Sequence, residues 1–86
     1  MPPGKHSTTW QVHCFRQANG WGYDILANNK IVIHQPVIPG VPGAVGFATQ
    51  QEAQIIAGIV IEKIKSGEQP TITRQQLQHS GILLNQ

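Results

Sequence analysis

The side chains best suited to metal, nucleophilic or acid–base chemistry are few in this 86-residue chain: four His, one Cys, one Asp and three Glu. His6, His13, His34 and His79 stand on separate stretches with no HxH or HxxxH spacing. No two imidazoles are therefore set to share an ion from one strand or one helical turn. His13 and His34 would meet only if the strands carrying them were neighbours, and Asp24 is the one carboxylate near them in sequence. No metal site is expected. Cys14 beside His13 makes no nucleophile–base pair, because adjacent residues of a strand point to opposite faces. It reads as a small buried hydrophobe. Glu52 is taken by a helix cap, which leaves too few carboxylates for paired acid–base work. No catalytic residue and no cofactor are expected, so the chain does not read as an enzyme.

The elements that would hold these residues are plainly marked. From Thr8 to Arg16 the sequence alternates, with Trp10, Val12 and Cys14 on one face and Thr9, Gln11, His13 and Phe15 on the other. Phe15 is the apolar exception on a polar face. Asn19–Gly20 is a strong hairpin signal. Trp21 to Ala27 reads as a second strand, Asn28–Asn29 as a second tight turn, and Lys30 to Gln35 as a third strand that Pro36 ends. Thr49 and Glu52 have capping-box spacing, and Ala53, Ile56, Ala57, Val60, Ile61 and Ile64 then recur at helical spacing up to Gly67. Thr73 with Gln76 caps a shorter helix, which Gly81 ends, and Ile82–Leu84 is an apolar tail.

These signals predict one α+β domain over 8–86, preceded by a flexible arm over 1–7. A three-stranded antiparallel meander carries the 49–65 helix across one face, and the 73–80 helix closes one end. The expected core is Trp10, Val12, Tyr23, Ile25, Ile31, Ile33, Phe47, Ile56, Val60, Ile64, Leu77 and Ile82.

Composition narrows the function classes. Only 12% of residues are charged, about half the usual share of roughly 25%. The six basic residues are scattered, without the clustered stripe and interleaved aromatics of a nucleic-acid footprint. Nucleic acid is not expected as a partner. No stretch approaches the ~18 apolar residues of a membrane span, so direct membrane insertion is not expected either. MPPGKHST lacks the apolar centre of a signal peptide. Low charge gives little repulsion between copies, and Ile55 and Ile59 lie outside the main helical stripe. Self-association or a protein partner is expected on that ground.

Two surfaces compete as binding sites. HQPVIPGVPGAVGF, residues 34–47, is apolar where loops are ordinarily polar. Its two Pro–Gly pairs read as successive type II turns, so it is rigid. Either it covers the protein's own core, or Val37, Ile38, Pro39, Val41 and Pro42 form a ridge for a protein partner. The alternative surface is an aromatic and hydrogen-bonding patch of Trp21, Tyr23 and His34 for a sugar or peptide. That patch needs a concavity of roughly 300 Å³, which a domain of this length is not expected to provide. The partner ridge is preferred.

GWGYDI, HQPVIPGVPG, the GFAT helix start and the GEQP link, spread between Trp21 and Leu83, resemble a family of small Bacteroidetes domains of unknown function. The resemblance implies an exported or envelope-associated protein, hence a periplasmic or cell-envelope location. Members carry an N-terminal signal or lipid-attachment segment, which this sequence does not show. The resemblance implies no activity, cofactor or catalytic residue. The combined expectation is a non-catalytic, envelope-associated interaction or assembly module.

Overall fold

The computed structural model describes residues 8–39, 41 and 43–82. The expected arm over 1–7, Gly40 and Pro42 of the loop turns, and Leu83 and Leu84 of the tail lie outside the described residues. The strands are β1 (Trp10–Gln17), β2 (Gly20–Ala27) and β3 (Lys30–Gln35), and the helices are α1 (Gln50–Lys65) and α2 (Arg74–His79). The sheet is antiparallel in the order β1-β2-β3. The α+β meander expected from the alternation is the observed architecture.

Local chemistry explains the boundaries. Asn28 and Asn29 both have positive φ, 52° and 69°, as a two-residue turn of this hand requires. The first hairpin turns one residue earlier than Asn19–Gly20 predicts. Gln17 pairs with Gly20, which leaves Ala18 and Asn19 as the turn. Gly20, at φ 126°, begins β2. Thr49 caps α1 by accepting from the Glu52 amide at 3.1 Å. The Glu52 carboxylate reaches the amide of Ala48 rather than that of Thr49. In α2 the Thr73–Gln76 capping box is complete. The Ile82 amide donates to the Leu77 carbonyl beyond Gly81, whose φ is 84°.

α1 packs over β1 and β2. Tyr23, Ile25, Ile38, Phe47, Ala53, Ile56, Ala57, Val60, Ile72, Leu77 and Ile82 form the buried cluster beneath it. Trp10, Val12, Ile33 and Ile64 are only partly buried against that cluster. Ile31 departs altogether from the expected core, at 59% exposed. The cause is a β-bulge. The turn sets Ile31 opposite Leu26, but Ile33 pairs with Ile25, so Val32 is an extra residue in β3. Ile31 and Ile33 are two positions apart, yet the bulge puts them on opposite faces of the sheet.

Part of the apolar loop turns inward, through Ile38 and Phe47. After Pro36 the chain leaves the sheet, and it returns at Phe47 to pair with Trp21, the two amides and carbonyls exchanging bonds of 2.8 Å. The excursion is stitched at its neck. Ile38 N–H donates to Val45 O, Gln17 Nε2 donates to Pro36 O, and Asn19 Nδ2 donates to Ala44 O. The returning backbone lies so close that a Cβ on Gly46 would fall 2.7 Å from the Gly20 carbonyl carbon. Only glycine fits there.

Candidate functional site

Both helices bury their apolar residues with the inner-face residues of the sheet. Among the described residues no helix covers the other face. Register places His13 of β1, Asp24 of β2 and His34 of β3 in one row across that open face. His34 Nδ1 donates to Asp24 Oδ1 at 2.5 Å. Asp24 is only 8% exposed and is the one buried charged residue among those described. The His34 side chain is 60% exposed. The carboxylate therefore holds one ring nitrogen, and Nε2 is left to meet solvent or a ligand.

The imidazole is braced from its flat side as well. The Phe15 ring stacks on His34 with centroids 5.3 Å apart and planes 13° from parallel. Gly22, the cross-strand partner of Phe15, makes room for that ring. A Cβ on Gly22 would stand 2.8 Å from Phe15 Cζ. Phe15, the odd apolar residue of its face, thus covers a glycine and fixes a histidine. Leu26 and Ile31 extend the face with apolar surface.

The predicted sites fare differently. Ile38 belongs to the buried core, Val41 packs against it, and Val37 and Pro39 are half-buried. Ile38 of the ridge expected at 37–42 thus serves the core, whereas Val45 of the same loop is 47% exposed. Trp21, Tyr23 and His34 are not brought together either. Tyr23 is 1% exposed on the covered face, and Trp21 is partly buried at the Phe47 bridge. His34 stands on the opposite face, because the bulge pairs it with Asp24.

Cys14 is half-buried rather than buried, on the covered side as expected. Its thiol donates weakly to Gln50 O and Gln54 Oε1 at 3.8 and 3.7 Å, and burial pushes its pKa up. Burial also pushes the Tyr23 phenol up to about 12. Ile55 is 40% exposed on the outer side of α1, and Ile59 lines shallow grooves between α1 and α2. His79 lines the first of these. Among the described residues no group of three His, Cys, Asp or Glu is placed to hold a metal ion. No described helix is long and apolar enough to cross a membrane. Concavity is another departure from expectation: one cleft beside Tyr23 measures about 390 Å³.

Asp24 and Phe15 are the site residues that sequence reasoning missed. The signal for Phe15 was its place on an otherwise polar strand face. Asp24 was marked only as the one carboxylate near His13 and His34, and its pairing with His34 depends on the bulge.

A three-stranded meander with both helices on one face and a braced histidine on the other defines a small single α+β domain. The chain belongs to the family described as Domain of unknown function (DUF4907), whose model matches residues 11–79, from β1 to the end of α2. No curated protein and no solved structure matches the chain.

Proposed function

We propose that the domain is a non-catalytic module that binds a protein partner through the open face of its sheet, in the periplasm or cell envelope that the sequence resemblance implies. The observation that carries this reading is the Phe15–His34–Asp24 array on a face that no described helix covers. A stacked aromatic pair, held by a buried carboxylate, loses little conformational entropy on docking. It presents an apolar body with a hydrogen-bonding tip, the kind of group that anchors protein interfaces. Ile31, exposed on the same face, adds apolar contact area. Only 12% of the chain's residues are charged.

Site-specific photo-crosslinking tests the reading. A photoreactive residue is placed at Gln11 or Ile31 on the open face, and at Gln51 or Gln54 on exposed positions of α1, in cells that express the protein. Discrete adducts from the open-face positions alone are expected, and a product of twice the chain mass identifies the partner as a second copy. Equal adducts from both sets, or none from the open face, overturn the proposal.

A further inference from the structure

The covered face of the sheet is not covered evenly. α1 lies over β1 and β2, and beside β3 the cover is supplied by Pro39 of the loop and by the segment that links the helices. Between them runs a cleft of about 390 Å³ lined by Tyr23, Ile33, Gln35, Pro39, Val60 and Ile72 among others, with no charged side chain in its wall. Its volume is in the range of small-ligand sites, and so is its make-up of aliphatic walls with few polar groups.

Two observations give those polar groups a purpose. Tyr23 is 1% exposed, and a buried phenol ordinarily finds a hydrogen-bond partner. Among the described residues its hydroxyl has none, yet no side-chain oxygen or nitrogen there is both sealed from solvent and unpaired. Tyr23 itself is one of the residues that line the cleft. Gln35 is the cross-strand partner of Tyr23 and so stands beside it on the same face. Its Nε2 is engaged, donating to Val37 O at 2.7 Å. Its Oε1 has no donor among the described residues. The cleft thus has a tyrosine and a glutamine, cross-strand partners, in an otherwise largely aliphatic wall that holds no charged side chain.

We infer that this cleft binds a small neutral ligand with a branched aliphatic body and one secondary amide. The Tyr23 hydroxyl donates to the ligand carbonyl, and the ligand N–H donates to Gln35 Oε1. The aliphatic body lies against Ile33, Pro39, Val60 and Ile72. An ionised ligand is disfavoured, because nothing in the wall offsets the loss of its hydration. This site is on the side of the sheet away from the Phe15–His34 array, and it does not rest on the open-face reading.

N-acetyl-leucine amide is the probe, added to the full chain while backbone amide resonances are followed by NMR. Saturable shifts are expected at the non-proline residues of 33–39 and at Thr71 and Ile72, with the open-face residues Gln11 and Ile31 unmoved. Tyr23→Phe keeps the ring and removes only the hydroxyl. It is expected to weaken the probe about fivefold, the loss of one neutral hydrogen bond. N-acetyl-leucine, which carries a carboxylate, is expected to bind at least about tenfold more weakly. Absence of saturable shifts with the wild-type chain overturns the inference. So does equal affinity of the wild type and Tyr23→Phe, or of the neutral and the ionised probe.

Discussion

The covered and open faces of the sheet are built from alternate residues of the same three strands, yet they answer to different demands. On the covered face Tyr23 and Ile25 are buried among helix and loop side chains, and each position is set by volume. On the open face Phe15, Asp24 and His34 are held by pairwise geometry: one stack, one hydrogen bond and one glycine that makes space. The first kind of order collapses as a unit when broken, because packed side chains support one another. The second can be dismantled one contact at a time. A domain of this size has one core, so it can carry chemistry only where that core does not need the residue.

The largest test of this contrast is Val60→Asp on α1. It loses about 1.5–3 kcal/mol of apolar burial and adds an unpaired buried charge costing several more. That exceeds the ~5 kcal/mol expected of so small a domain. Circular dichroism should show an unfolded chain at room temperature. Gly46→Ala comes next. Its methyl meets backbone, which cannot swing aside as a side chain can. A loss of about 3 kcal/mol is expected in urea unfolding.

Tyr23 tests the covered face by pH. Its pKa is raised to about 12 by burial, from 10.0, so the folded state holds the phenolic proton more tightly than the unfolded chain does. The corresponding stability is complete below about pH 10 and is lost as pH rises towards 12. Over that window it amounts to about 2–3 kcal/mol. An ultraviolet titration in which one tyrosine ionises only as the fold is lost is the expected result. A native-state titration centred near the ordinary phenol value of about 10 would show that burial does not hold the proton.

On the open face the effects shrink. A double-mutant cycle of Asp24→Asn and His34→Ala should return a coupling of about 0.5–1 kcal/mol, since one partner stands largely in solvent. His34→Ala alone should still fold cooperatively. Ile31→Asp, an apolar-to-charged change like that at Val60, should move stability by less than about 0.5 kcal/mol. Should it unfold the domain instead, the distinction between the two faces fails.

Much of the frame was legible because it is written in short-range chemistry. Thr73 with Gln76, Thr49 with Glu52, Asn28–Asn29 and Pro36 each act within a few residues, and each sits at the element boundary it foretells. The candidate site was not legible, and one residue accounts for it. An unbroken ladder from the Ala27–Lys30 pair would set His34 opposite Tyr23. Val32 shifts the count, and His34 meets Asp24 instead. A bulge is decided by which side chains the core accepts, so the strand's own sequence does not announce it. The loop left two readings open for a related reason. Its Pro–Gly signals describe rigidity, but whether Ile38 points inward depends on the neck that Gly20 and Gly46 close, 26 residues apart (46 − 20).

That neck also bears on the order in which the chain folds. Phe47 must find Trp21 across 26 residues (47 − 21) if nothing else has formed. Once the two hairpins are made and Gln17 holds Pro36, only the ten or so residues between Pro36 and Gly46 remain to be closed. With closure entropy growing as 3/2 RT ln n, the shorter search is favoured by about 0.8 kcal/mol, or roughly fourfold. The stitch is therefore a late event that the meander templates. Its amides, Trp21 and Phe47, should gain protection from hydrogen exchange after those of β1 and β2 during refolding, and should lose it together.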